Sequence, residues 1–152
     1  MRWLLNRGAD SNARTILSQS PLHWAASGVH LEVVQVLLEH DPDINLQNND
    51  GDTPLNCILY QLDPSTKREA VDIVRRLLEH GADTNICNNK HSTPLHQASF
   101  VGSLEVALLL LSYGAKVDVK DREGRTPFQL ASSIRRHEIA ELLLEHGAVP
   151  QP

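Results

Sequence analysis

The chain has 152 residues, of which 41% are apolar, 22% charged and only 4% aromatic, and it carries a formal net charge of −5. That length suits one domain, and the acidic total argues against a nucleic-acid surface, which needs a clustered positive field. The two cysteines, Cys57 and Cys87, form no C-x-x-C pair, so a disulfide-rich framework and a zinc ribbon are both excluded.

In chain order, residues 1–15 open with Met1-Arg2-Trp3-Leu4-Leu5-Asn6-Arg7-Gly8, too polar for a secretory signal. Residues 16–48 bring Ser20-Pro21-Leu22-His23, then small Ala25-Ala26, then an apolar periodicity over 31–40. Residues 49–88 repeat this with Thr53-Pro54-Leu55-Asn56 and a periodic stretch over 71–80. Residues 89–121 carry Thr93-Pro94-Leu95-His96, Ala98-Ser99 and a stretch over 104–113. Residues 122–152 carry Thr126-Pro127-Phe128-Gln129, Ala131-Ser132 and a stretch over 138–146. The longest apolar run, 106–111, is far short of the roughly 18 residues of a membrane span.

The four prolines are spaced 33, 40 and 33 residues apart. A second series, Gly8-Ala9-Asp10, Asp41-Pro42-Asp43, Gly81-Ala82-Asp83, Gly114-Ala115-Lys116 and Gly147-Ala148-Val149, keeps spacings of 33, 40, 33 and 33. Two motifs in one register define an internal repeat. Ser or Thr before Pro predicts a helix start, because the hydroxyl accepts from an orphan amide and Pro at the first position loses nothing by lacking its N–H. The Val/Ile and Leu-Leu spacing predicts a second helix with one apolar face, and Gly after its last turn predicts the stop. Polar stretches such as 45–52, ending at Gly51 or Gly124, predict tight turns or hairpin tips. Ser18 and His91 stand where those glycines stand, which predicts tips of different or looser geometry.

With these motifs the sequence resembles the ankyrin-repeat family over essentially its whole length. The resemblance implies an all-α repeat solenoid, a stack of antiparallel helix pairs joined by β-turn or hairpin loops. Such units bury their apolar faces only against one another. One ankyrin-repeat domain over 1–152 is expected, made of a partial repeat (1–15), three repeats (16–48, 49–88, 89–121) and a C-terminal capping repeat (122–152).

Three departures from the pattern stand out. The 40-residue spacing places seven extra residues between Cys57 and Lys67, at the junction of two helices, where Asp63-Pro64-Ser65 signals a loop. They form either a tolerated insertion or an added contact element. Met1 aligns with Val34 and Leu4-Leu5 with Leu37-Leu38, so the first helix of that unit is absent, and Trp3 and Trp24 are expected near an uncapped end. That is expected of a fragment of a longer protein, or of a chain that self-associates end to end through this face. In the last unit, Arg135, Arg136, His137, Glu138 and Glu141 give a terminal repeat the polar face it needs, with Ile134 and Leu130 expected partly exposed.

Eight histidines raise a metal reading, but none reaches ligand spacing. His91 and His96 lack further ligands, and His137-Glu138-Ile139-Ala140-Glu141 is half of H-E-x-x-H. His40, His80 and His146 end the second helices, where a cation complements the helix dipole. The resemblance assigns His23 and His96 to tying turn backbones together. Cys57 reads as a core hydrophobe, and Cys87 as lying near a turn. Neither a phosphate-binding glycine loop nor a G-x-S-x-G elbow occurs. No catalytic residue, metal or cofactor is therefore expected, and an intracellular location is.

The resemblance also implies how the chain works: it binds another protein through the hairpin tips and the exposed positions of the first helices, which together line a concave face. By register the tip positions are Asn49, Asp50 and Asp52; Asn89, Lys90 and Ser92; Arg122, Glu123 and Arg125. The helix positions are Ser27 and Gly28, Tyr60 and Gln61, Phe100 and Val101, Ser133 and Ile134. The expected partner is a protein segment with an apolar anchor and charges of both signs, with no nucleic acid or membrane involved and the chain itself monomeric. Alternatives are a regulatory or targeting segment of a larger enzyme or receptor and, by family analogy alone, a substrate of an asparaginyl hydroxylase at Asn12, Asn45 or Asn85.

Overall fold

A computed structural model describes residues 2–62 and 67–150. The chain divides into two compact units, Met1–Ala82 and Asp83–Pro152. The first contains α1 (Arg2–Leu5), α2 (Pro21–Ser27), α3 (Leu31–Leu38), α4 (Pro54–Leu59) and α5 (Lys67–Glu79). The second contains α6 (Pro94–Val101), α7 (Leu104–Ser112), α8 (Pro127–Ser133) and α9 (His137–Glu145). No strand occurs among the described residues, and no helix among them is long and apolar enough to cross a membrane.

Each first helix starts as its sequence dictates. Ser20, Thr53, Thr93 and Thr126 are extended at φ between −86° and −83°, and their hydroxyls accept from the amides of His23, Asn56, His96 and Gln129. A proline follows at the first helical position in all four. The next residue, Leu22, Leu55 or Leu95, points into the core at 0–1% exposure. Burying a side chain of that size contributes about 1.5–3 kcal/mol. Within the first unit α2 packs on α4 and α3 on α5; within the second, α6 packs on α8 and α7 on α9. Within each unit, first helices therefore form one layer and second helices the other, with Val34, Leu37, Val74 and Leu77 filling the core of the first unit and Leu110, Ile139 and Leu143 that of the second.

Left-handed residues end the second helices. Gly8, Gly81, Gly114 and Gly147 lie at φ between 83° and 91°, and Asp41 takes the same place after α3 at φ 45°. The helix-to-helix corner also needs positive φ. Gly102 supplies it at 87°, but Val29 and Arg135 are held at 55° and 59°.

The structure changes three expectations. Helix α5 starts at Lys67 rather than at 71, so its 13 residues exceed the 8 of α3 and the 9 of α7 and α9. Four of the seven extra residues are thus an added helical turn, anchored by fully buried Ala70. The loop signal Asp63-Pro64-Ser65 lies outside the described residues. Leu130 is buried, whereas Ile134 is partly exposed as expected. Finally, the tips at Ser18 and His91 are not different in kind from those at Gly51 and Gly124. All four residues lie at positive φ, 59°, 56°, 76° and 77°, and each donates its N–H to the carbonyl three residues back at 2.8–2.9 Å.

Candidate functional site

One side chain templates each tip. Asn48 Oδ1 accepts from the amides of Asp50 and Asp52 at 2.9 and 3.0 Å. Asn88 Oδ1 does the same for Lys90 and Ser92 at 2.9 and 3.1 Å, and Asp121 Oδ1 for Glu123 and Arg125 at 3.0 and 2.9 Å. In the first tip the Thr15 hydroxyl accepts from Leu17 and Gln19 at 3.3 and 3.2 Å. This is the Asx or ST turn, a side chain standing in for a backbone acceptor. It explains why Ser18 and His91 tolerate the left-handed region: the same bonds hold the loop whichever residue occupies it. The recurrence of Thr, Asn, Asn and Asp three residues before the left-handed position was the sequence signal for it.

Neighbouring tips within each unit are joined through their backbones. Asn49 N–H donates to Leu17 O at 3.1 Å in the first unit, and Arg122 N–H to Lys90 O at 2.9 Å in the second. Asn49 Nδ2 adds a bond to Ile16 O at 3.2 Å. Buried histidines fix the tips to the helices. Nδ1 of His23 accepts from Ser20 N–H at 3.1 Å, so Nε2 carries the proton and donates to Asp52 O at 3.0 Å. His96 repeats this with Thr93 N–H at 3.2 Å and Arg125 O at 3.0 Å. Burial holds both imidazoles below their ordinary pKa, outweighing the hydrogen bonds that favour the cation. Gln129 takes the histidine's place in α8, its Oε1 accepting from Thr126 N–H at 3.0 Å.

The expected contact residues divide into groups. Asn49 and Asp50 are exposed on the second tip. Asp52 is corrected: it is only 7% exposed, and its carboxylate accepts from Tyr60 Oη–H at 3.2 Å and Asn56 Nδ2 at 3.4 Å. It supports Tyr60, which is 47% exposed, while Gln61 beside it is half-buried. In the second unit Asn89, Lys90, Arg122 and Glu123 are exposed, Ser92 and Val101 half-buried, and Phe100 54% exposed. Arg125 is exposed but engaged. It grips Asp121 through Nε and Nη2 at 2.9 and 2.8 Å and pairs with Glu123. Burial would raise the Asp121 pKa, but the Arg125 amide and guanidinium outweigh it and hold the carboxyl below its ordinary range. The Arg125 guanidinium is thus committed to its own tip, while Arg122 stays exposed. Among the outward helix positions, Gly28, Ser133 and Ile134 are exposed and Ser27 is half-buried. Sequence reasoning passed over the first tip, where Ile16 and Leu17 are 95% and 54% exposed. Two consecutive aliphatic residues at the positions of Asn49 and Asp50 were the available signal.

Other polar groups have structural work. Asn12 Oδ1 accepts from Asp43 N–H at 2.8 Å, Asn45 Nδ2 donates to Gly81 O at 3.2 Å, and Asn85 bonds both Gly114 O and Lys116 N–H at 3.1 and 2.9 Å. Each ties a loop to the end of the following second helix. Nδ1 of His40, His80 and His146 donates to the carbonyl four residues back at 2.8–2.9 Å, closing the last turn. The Cys57 thiol is buried and pushed up to about 12 by desolvation, the opposite of an activated nucleophile, and the Cys87 thiol is also raised by burial. Among the described residues no three His, Cys, Asp or Glu side chains come together as a metal site.

Helix pairs capped by Ser/Thr-Pro, joined by templated tips and tied by histidine, make each unit a set of stacked repeats. Family models agree. Residues 65–151 match a model described as ankyrin repeats (3 copies), and residues 2–56 one described as ankyrin repeats (many copies). The chain belongs to the ankyrin-repeat family, and the two matches stop on either side of the expanded junction. Similar proteins include transient receptor potential cation channel subfamily A member 1 of Homo sapiens, 44% identical over 35% of this chain. Neurogenic locus notch homolog protein 1 of Mus musculus is 42% identical over 34%, and ankyrin repeat domain-containing protein 37 of Homo sapiens 41% over 34%. The matched stretch spans only 5%, 2% and 32% of those proteins' own lengths. Ankyrin repeats are generally non-catalytic protein-interaction modules.

Proposed function

We propose that the chain binds a partner polypeptide on the surface made by its hairpin tips and the outward faces of its first helices, and that it performs no catalysis. The carrying observation is the pair Tyr60 and Phe100. They share one register, six residues after the helix-starting proline, and are 47% and 54% exposed although Leu59 and Ser99 beside them are fully buried. Aromatic rings of this kind supply much of the energy at protein interfaces. Asp50 in the first unit and Lys90 and Arg122 in the second add exposed charges of opposite sign. The partner that fits is a segment with an apolar anchor and charges of both signs. The carboxylate of Asp52 orients the Tyr60 ring through its hydroxyl, and Ile16 and Leu17 add exposed apolar side chains at the first tip.

The test is affinity capture from cell extract with the intact chain and with a Lys90→Glu/Arg122→Glu variant. Partners retained by the intact chain and lost by the variant support the reading. Identical captures by both overturn it.

A second reading is supported by the small share of the relatives' lengths that the chain spans. In it the repeats act as a regulatory or targeting segment within a larger protein, docking on that protein's own domains through the same surface.

A further inference from the structure

Helix α7 is richer in leucine than its core needs. Its 9 residues hold five leucines, yet the core takes only Val106, Ala107 and Leu110. Leu108 is 46% exposed, and Leu104 and Leu111 are half-buried. At positions i, i+4 and i+7 these three leucines make one stripe along the helix, about 10 Å long at the rise of an α-helix. A helix that is apolar nearly all round is normally buried, so the stripe is apolar surface that the fold leaves unused. Register sets it apart further: Leu108 stands where α3 has Gln35, α5 has Arg75 and α9 has Glu141.

Helix α9 packs beside α7 and carries the opposite kind of surface. Glu138, Glu141 and Glu145, at i, i+3 and i+7, are all exposed. Among the described residues none of their carboxylates has an ion pair or a hydrogen bond. In the repeat register they answer to Glu105, Leu108 and Ser112 of α7, which are exposed too, so the two rows share one outward face of the unit. Arg135 and Arg136 stand at the corner ahead of α9 and line a cleft there with Glu138, without pairing with it. Arg136 lies instead over Gly102, its Nε 2.6 Å from where a Cβ would sit. The face therefore sets a leucine stripe beside an unneutralised row of carboxylates.

We propose that this face receives a basic amphipathic helix of a partner protein, its apolar side on Leu104, Leu108 and Leu111 and its lysines or arginines on Glu138, Glu141 and Glu145. Charge complementarity selects that occupant. A basic row meets three carboxylates that the fold leaves unpaired, and the leucine stripe has the spacing that an apolar helix face matches. The same carboxylates repel an anionic membrane or a nucleic acid. The face belongs to the second helices of the unit, whereas Phe100 lies on a first helix and Lys90 and Arg122 lie on tips. Failure of the function proposed above would leave this proposal standing, and the reverse holds as well.

The probe is a fluorescein-labelled synthetic peptide of leucine and lysine, about four helical turns long with the leucines on one face, titrated into the full chain and followed by anisotropy. Binding should saturate and should weaken as salt rises. Two variants borrow residues that the chain itself uses in the same register. Leu108→Gln, after Gln35, should weaken the peptide by about three- to tenfold, the value of burying the exposed half of a leucine. Glu141→Arg, after Arg75, should weaken it by about tenfold at low salt and reduce the salt dependence. Circular dichroism and thermal unfolding should show both variants as stable as the parent chain. A peptide of the same composition with its leucines spread round the helix should bind at least about tenfold more weakly. Absence of binding, equal binding by the spread peptide, or an affinity unchanged by Leu108→Gln would each overturn the proposal. So would sedimentation showing a dimer of the chain that Leu108→Gln dissociates, because a second copy would then be the occupant.

Discussion

Acid should loosen this protein through two buried histidines, His23 and His96. His23 and His96 are 0% exposed, accept a backbone N–H at Nδ1, and donate from Nε2 to a tip carbonyl. Neither ring can take a proton at Nδ1 and keep that arrangement. Their folded pKa is depressed below the unfolded value of about 6.5, with burial as the main cause. The unfolded chain therefore binds protons that the folded chain refuses. The contribution is fully present above the unfolded pKa and is lost as pH falls from there towards the folded pKa. While the folded ring stays neutral, each histidine lowers stability by about 1.4 kcal/mol per pH unit. The Asp121 carboxyl, also depressed, acts only below about pH 4, in a separate window. The assay is urea unfolding at steps from pH 7.5 to 5, on the natural chain and on a His23→Gln/His96→Gln variant. Gln129 shows that glutamine keeps the cap bond to the preceding threonine. Each substitution should cost about 1 kcal/mol at pH 7.5 for the lost tip bond and should flatten the dependence below pH 6.5. An undiminished slope in the double variant would refute the assignment.

Further outcomes follow from the same geometry. Val29 is β-branched at φ 55°, where Gly102 supplies glycine at the matching corner, so Val29→Gly should raise the urea midpoint by the equivalent of about 0.5–1 kcal/mol. Asn85→Ala removes bonds to Gly114 O and Lys116 N–H and should destabilise by about 1–3 kcal/mol in the same assay. With its thiol pushed up to about 12 and buried, Cys57 should resist a thiol reagent in the native protein while half-exposed Cys87 reacts first. Mass mapping of the labelled peptides would show the order.

The repeat units were legible because their determinants are local. Ser20, Thr53, Thr93 and Thr126 each cap a helix within three residues, and the Leu-Leu spacing needs only one helix to be seen. The buried histidines were readable in role, but the bonds of His23 to Asp52 and of His96 to Arg125 join residues 29 apart and emerge only from the folded chain. The site was less legible for the same reason. Whether Asp52 faces solvent depends on Tyr60, eight residues away, and whether Arg125 is available depends on Asp121 and Glu123 competing for it. Residue type alone makes Ser18 and His91 look unsuited to the left-handed region, whereas the side chains of Thr15 and Asn88 hold those loops in the same turn as the glycine tips. The added turn of α5 was hidden because register counts residues but does not say which are helical.

The central claim is that Tyr60 and Phe100 are held outward for a partner rather than for the fold. It is tested most directly by a Tyr60→Ala/Phe100→Ala chain, measuring binding to a captured partner alongside thermal unfolding. Binding should weaken by at least about tenfold, as loss of interface aromatics does, with unfolding nearly unchanged. Retained binding, or a large loss of stability in its place, would contradict the account.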